Sequence, residues 1–493
     1  MIEKIKKIIP KNKIEMLCFF FIGYILFVRI IYLFSKSIDL GGMEFSFIYQ
    51  QQFIDKHNVL YLNPDNFPFY ISFYPPLYPY LMKVLLAFFN INVYTDISNA
   101  LILGRLLSLT SLFFVIYFIL KIIRFISVNI SHKYLLCLIF ILLLPEHFYT
   151  FRPDSLKVLC FIIFLFFMLQ YNFGEQTKRN LIFATSAAII GIYTKHDIII
   201  YIAMYFGVQF IMSKKIKDII PFLIILLTTA CLFVCMYLLK GNLILKNLFF
   251  YNIQYGNDAK LSILLILINI VRLFPLLLLS IINTKSKNVL IQFIAWYAIL
   301  LFFTSSILLL RSGANLNYTY EVVIVMIINA GIYIQQKNFS YYKTTIAYVF
   351  LLLLMCNKIS YKLVHFGEDI EKWKAQYSAQ QFSSKAIANI IKNDVVFFPE
   401  GKQLVFNGKL NTIFGYDLHL ERFTSLYLNT SIKSRILNNQ STAEYDKLFT
   451  NGFVKYIVIE DNKNSLEQIN TYYPLYYFQE KQHQYLIYTF KDK

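Results

Sequence analysis

Apolar residues run along the first three quarters of this chain in long blocks separated by short polar breaks. The blocks are about the length a helix needs to cross a bilayer, ~20 residues. They predict about eleven membrane-spanning helices, over 14–34, 99–120, 133–148, 155–173, 180–194, 197–212, 219–239, 262–283, 289–310, 319–335 and 344–357. The stretch 180–212 reads as two helices rather than one. A single helix would place Lys195, His196 and Asp197 in mid-membrane, where each charge costs at least ~2.5 kcal/mol. After residue 358 the pattern turns mixed and polar. There Val395–Phe398, Leu404–Phe406, Tyr456–Glu460 and Tyr485–Phe490 read as strands, and 367–392 and 432–450 as helices. The expected architecture is a membrane all-α domain over 1–357, a polytopic helical bundle, followed by a small soluble α/β domain over 358–493.

Charge then orients the bundle. Basic residues collect at the N-terminus (Lys4, Lys6, Lys7, Lys11, Lys13) and in alternate short loops, around Arg124, Lys178, Lys214, Lys285 and Lys337. Such clusters mark the cytoplasmic side, and an odd number of spans puts 358–493 on the opposite, extracytoplasmic side. The first apolar block follows a basic segment, as in a signal peptide. It is too long for one and no small-residue cleavage site follows, so it is expected to remain as a helix.

Composition agrees with a lipid-solvated chain. Of 493 residues, 57% are hydrophobic and only 15% charged, where soluble domains carry ~25%. The net charge of +19 is scattered between apolar blocks rather than gathered in one stripe, which fits contact with membrane lipids and argues against nucleic acid. All six cysteines lie inside apolar blocks, with no spacing that suggests a metal site or a disulfide framework.

The segments assigned to the outer face hold most of the unusual polar groups. The first, 35–98, is long. It opens Asp39-Leu-Gly-Gly-Met-Glu44, reaches Tyr74-Pro-Pro-Leu-Tyr78-Pro-Tyr80, and continues into Leu81–Phe89, an expected interfacial helix. Tyr74–Tyr80 taken alone also reads as an aromatic-belt anchor. Three further elements follow, Arg152-Pro-Asp154-Ser-Leu156, Tyr193-Thr-Lys195-His196 and Gly313-Ala-Asn315-Leu-Asn317-Tyr318. In this order and on this side, the four elements resemble the GT-C fold integral-membrane glycosyltransferases. That superfamily includes protein O-mannosyltransferases, the lipid A aminoarabinose transferase and bacterial enzymes that decorate lipopolysaccharide.

The resemblance implies transfer of a sugar from a polyprenyl-phosphate donor to an envelope glycan or glycolipid acceptor, in a bacterial inner membrane. Such a reaction needs a carboxylate base at the acceptor hydroxyl and cations where charge grows on the leaving phosphate. The family's base lies in the first-loop acidic motif, so Asp39 and Glu44 both qualify. Asp154 is expected to bind sugar hydroxyls or orient the base, or simply to cap its helix. Arg152, Lys195 and Arg311 form the expected phosphate clamp, against plain headgroup anchoring. Arg272, near mid-span, would touch the carrier phosphate or pair with Glu321. Tyr74, Tyr78, His196, Asn315, Asn317 and Tyr318 are the candidate substrate contacts. No cofactor is indicated. His196 has no neighbouring histidine in the sequence to share a metal, and the chain's use of a divalent ion is left open. A flippase or an envelope-assembly scaffold would also place polar groups in a helical bundle. A flippase would be expected to show internal repeats, which this sequence lacks.

Overall fold

The computed structural model describes residues 13–34, 44–62, 72, 74–126, 133–144, 146–250, 259–310 and 316–336, and in the C-terminal part 371, 386–387, 389–391, 394–397, 411–412, 450–461, 475–482 and 485–491. Two compact units divide the chain. One gathers 1–34, 105–235 and 255–369, the other 35–104, 236–254 and 370–493.

The helices are α1 (Lys13–Phe34), α2 (Glu44–His57), α3 (Leu77–Phe88), α4 (Ile97–Ile126), α5 (Lys133–Leu143), α6 (Asp154–Phe173), α7 (Lys178–Thr194), α8 (Ile198–Ser213), α9 (Ile220–Lys240), α10 (Asn242–Leu245), α11 (Ala259–Asn283), α12 (Val289–Leu308) and α13 (Tyr320–Gln336). Among the described residues, seven helical stretches are long and apolar enough to cross a membrane, and the chain is a multi-pass membrane protein. Of the remaining expected spans, 344–357 lies outside the described residues, and three form shorter helices. The expected span 133–148 ends as a helix at Leu143. Pro145 follows, where a helix loses a backbone donor and meets a steric clash, and a 3-10 turn covers Glu146–Tyr149. The expected break at 195–197 is present between α7 and α8.

The first unit is built around helices that are buried on every side. In α5 all of Leu135–Leu143 is buried, and in α13 so is Tyr320–Ile332. Such helices belong in a bundle interior. By contrast α9 leaves Leu227, Val234, Leu238 and Leu239 exposed, as expected where lipid is the solvent. The Glu15 carboxylate accepts the Tyr134 backbone N–H at 2.8 Å, so α1 satisfies a free donor at the start of α5. The α6–α7 hairpin packs closely because residue 191 is glycine. A Cβ there would meet Ile198 Cδ1 at 2.6 Å and Cys160 Cβ at 3.1 Å. This close approach sits one turn from the 195–197 break.

In the second unit, a run of three glutamines in α2 ties down the segments after it. Gln50 donates to Ser72 Oγ at 2.9 Å, Gln51 to the Pro79 carbonyl at 3.2 Å, and Gln52 to the Val93 carbonyl at 2.9 Å. The helix expected over Leu81–Phe89 is present as α3, starting earlier, at Leu77. Pro79 is compatible with its first turn, where no intrahelical donor is needed.

The C-terminal residues of this unit form a five-stranded mixed sheet of order β2-β1-β3-β5-β4, with β1 Val395–Phe397, β2 Asn411–Thr412, β3 Tyr456–Glu460, β4 Tyr476–Gln482 and β5 Tyr485–Phe490. β1 runs parallel to β2 and β3, while β5 is antiparallel to β3 and β4. Strands β3 and β5 match the expected ranges. The expected strand 404–406 lies outside the described residues. Strand β4 was not expected, because the polar Gln479, Glu480 and Lys481 hide its pattern. The sheet buries Val396, Val458 and Ile487 against Ile387 and Ile391. Residue 452 must be glycine twice over: its φ is +65°, and a Cβ would meet the Phe490 ring at 2.6 Å.

Candidate functional site

The first unit contains six buried ionisable groups in one connected network, contributed by three chain segments. Burying an ion costs several kcal/mol unless it is paired, so the arrangement of partners decides what the site can do.

Asp154 is the first residue of α6 and is fully buried. It does not cap the helix through its side chain, because Pro153 holds the cap position and no side-chain cap bond forms. Its carboxylate instead takes three partners. Lys195 Nζ donates to Oδ1 at 2.7 Å, Asn317 Nδ2 donates to the same oxygen at 3.2 Å, and Arg152 Nε lies 3.4 Å from Oδ2. A negative side chain in the first turn is also favoured by the helix dipole.

A second centre adjoins the first. Lys157 stands one turn into α6, on the same face as Asp154 by its i, i+3 spacing. Its ammonium is 3.1 Å from Asp197 Oδ2 and 2.8 Å from Glu321 Oε1. Asp197 closes the 195–197 turn, and Glu321 lies in the first turn of α13. The two centres meet where Lys195 Nζ comes within 3.9 Å of Asp197 Oδ2. Three cations, Arg152, Lys157 and Lys195, therefore face three carboxylates, Asp154, Asp197 and Glu321. Burial pushes the Asp197 carboxyl up, but the charges of Lys157, Lys195 and His196 outweigh it and hold that group below the ordinary carboxylate range.

The 3-10 turn Leu316–Thr319 organises one wall of the site. Asn317 donates to Asp154. The Tyr318 ring lies 5.1 Å from Lys195 Nζ, a cation–π contact. The Tyr318 carbonyl accepts the Tyr201 hydroxyl at 2.7 Å, and the Tyr201 carbonyl accepts the Tyr297 hydroxyl at 2.9 Å. Arg272 Nη2 donates to Thr319 Oγ1 at 2.6 Å, and that hydroxyl donates to the Leu316 carbonyl. Behind the Asp154 centre, the Ser155 hydroxyl donates to Ser108 Oγ at 2.9 Å, and Ser108 to the Thr150 carbonyl.

Of the residues singled out in the sequence, Arg152, Asp154, Lys195, Asn317 and Tyr318 thus come together. His196 is half-buried in the same turn as Lys195. Of the two roles open to Arg272, pairing with Glu321 is not what the structure shows. Arg272 is bound to Thr319, and the partner of Glu321 is Lys157. Glu44, Tyr74 and Tyr78 belong to the second unit. There Glu44 opens α2 and is fully buried, and the Phe47 ring packs 5.0 Å from Tyr74 and 5.7 Å from Tyr78. Asp39, Arg311 and Asn315 lie outside the described residues. The sequence reading missed Lys157, whose signal is a lysine three residues after Asp154 at the mouth of an apolar span. No group of three or more His, Cys, Asp and Glu side chains is placed to hold a metal ion among the described residues.

Among solved structures, the chain is similar to ArnT from Cupriavidus metallidurans bound to undecaprenyl phosphate, with a TM-score of 0.61 at 12% identity. It is also similar to the same protein in the apo state, with a TM-score of 0.60 at 13% identity. Each alignment covers 95% of this chain and 97% of the other. No protein-family model matches the chain, and no curated protein sequence does. The structural likeness shows that the chain has the fold of ArnT, the GT-C membrane fold that the order of its motifs implied.

Proposed function

We propose that this chain is a membrane glycosyltransferase that moves a sugar from a polyprenyl-phosphate donor to a cell-envelope acceptor such as lipopolysaccharide, lipid or another glycan, on the outer face of the inner membrane. One observation carries the reading. The ArnT fold, one of whose solved structures holds undecaprenyl phosphate, here encloses Arg152 and Lys195 converging on Asp154. A plain structural bundle gains little from that cluster, since replacing buried ions with apolar side chains is often neutral or stabilising.

In this reading the acceptor hydroxyl attacks the anomeric carbon as the bond from that carbon to the phosphate oxygen breaks. The electron pair leaves with the phosphate, and the configuration inverts. The hydroxyl proton goes to Asp39 or Glu44. Asp154 is a poor choice for that proton, because Lys195 and Asn317 already donate to its Oδ1 and the Arg152 guanidinium lies 3.4 Å from Oδ2, so two cations favour its charged form. Its work is to hold the two cations in position. Arg152 and Lys195, with Arg311 and Arg272 as further candidates, stabilise the charge that grows on the leaving phosphate. Tyr74, Tyr78, His196, Asn315 and Tyr318 are assigned to contacts with the sugar and carrier.

The test is single-turnover transfer from defined polyprenyl-phosphate sugars into reconstituted acceptor glycolipid, read by mass spectrometry. The parent should add one sugar mass. Asp39→Asn or Glu44→Gln, whichever residue is the base, should be slower by ~10²–10⁴-fold. Parental rates in both variants would remove the base assignment. Translocation of the lipid-linked sugar with no transferred product would make the chain a flippase.

A further inference from the structure

Lys195 stands between two carboxylates. It is 2.7 Å from Asp154 and 3.9 Å from Asp197. Both are buried, so each attracts it through a medium that screens weakly. Asp197, however, already has a closer cation than Lys195. Lys157 Nζ sits 3.1 Å from the same Asp197 oxygen, Oδ2, that faces Lys195. Lys157 is itself held by a second partner, Glu321, at 2.8 Å, and its ammonium lies 5.5 Å from the Tyr201 ring. Its side chain is completely buried, so it has no direct access to a ligand at the surface.

From this geometry we infer that Lys157 is a positioning residue: by occupying Asp197 it holds Lys195 at Asp154, in the place from which Lys195 acts on the donor. The inference rests on the transferase reading for its effect on rate, and on geometry alone for its effect on where Lys195 sits.

Removing the Lys157 charge leaves three carboxylates facing two cations. Asp197 and Glu321 then both lose their closest cation, and Lys195, already 3.9 Å from Asp197, is the cation placed to answer Asp197. Lys157→Met should therefore draw Lys195 from Asp154 towards Asp197. Turnover should fall by ~10²-fold or more, the scale of losing one preorganised electrostatic contact, while donor KM changes by less than about threefold, because the contact strengthens mainly in the transition state.

Two second-site changes separate positioning from mere tolerance of a buried charge. Lys157→Met/Asp197→Asn and Lys157→Met/Glu321→Gln restore the same total charge. Only the first removes the pull on Lys195. Positioning predicts that turnover recovers to within about tenfold of the parent with Asp197→Asn and stays low with Glu321→Gln. Equal recovery in both would overturn the inference, and so would parental turnover in a folded Lys157→Met protein.

A further measurement needs no activity at all. The coupling of Lys195 to Asp154 and to Asp197 can be read from double-mutant cycles of unfolding, in the parent and in a Lys157→Met background. Lys157→Gln, which keeps hydrogen-bonding capacity, replaces Met if the Met variant fails to fold. Coupling that shifts from Asp154 to Asp197 when Lys157 is neutralised supports the inference even if no sugar is transferred. Unchanged coupling sinks it even if sugar transfer is robust.

Discussion

The pair formed by Asp154 and Lys195 gives the most direct test of the buried network. At 2.7 Å, two unit charges attract by about 6 kcal/mol at an effective dielectric constant of ~20. Most of that is offset by the several kcal/mol needed to desolvate each ion. The informative quantity is therefore what happens when one partner goes. Asp154→Asn leaves three cations facing two carboxylates, and Lys195→Gln leaves two facing three. Each leaves a buried charge uncompensated and should destabilise the protein by ~3–5 kcal/mol. The double variant restores balance, with Arg152 and Lys157 facing Asp197 and Glu321. Its loss should be smaller than the sum of the singles by ~2–3 kcal/mol, the upper range for groups in one network. The assay is reversible unfolding of the purified protein in mixed micelles, titrated with denaturing detergent and followed by circular dichroism. Additive losses, within ~0.5 kcal/mol, would show that the two groups do not compensate each other, and the account of the site would fail at its centre.

Two further expectations follow from the same structure and from the charge pattern. The Asp197 carboxyl is held below its ordinary value by its cationic neighbours despite burial. It therefore contributes stability above the unfolded carboxylate value of ~3.9, and that stability is lost as pH falls through the folded value. Acid unfolding of Asp197→Asn should show a shallower pH dependence below about pH 4 than the parent, and identical slopes would contradict this. The alternation of basic loops predicts that the loop containing Lys178 and the segment after residue 358 lie on opposite sides of the membrane. Single cysteines introduced at the two places, with the six native cysteines replaced, should differ in reaction with an impermeant thiol reagent. Equal protection would remove the outer-face placement of the reaction.

The hydrophobic pattern by itself fixed the positions of most helices, and for a local reason. Lipid demands runs of about a bilayer's thickness with every backbone group bonded within its own helix, so length and polarity along the chain are enough to find them. The break at 195–197 was legible by the same logic, since Lys195, His196 and Asp197 could not sit in mid-span. So were Asp154, Lys195, Asn317 and Tyr318 as unusual polar groups in a membrane chain. Their partners were not. Asn317 meets Asp154 across 163 positions of sequence and Lys195 meets it across 41, and nothing local specifies such a pairing. Read from the chain, Arg152 and Lys195 looked like cations awaiting a phosphate, Asp154 like a sugar ligand, a support for the base or a helix cap, and Arg272 like a contact for the carrier phosphate or for Glu321. Packing made Asp154 the centre that holds both cations, and gave Arg272 to Thr319 and Glu321 to Lys157. Lys157 itself looked like one more lysine at a span's mouth, and only the convergence of α6, α13 and the 195–197 turn buries it between two carboxylates. The chain's own polarity determines which segments enter the membrane. Which charges neutralise one another there is decided by the tertiary fold, because a buried ion must find its counter-charge wherever the packing places it.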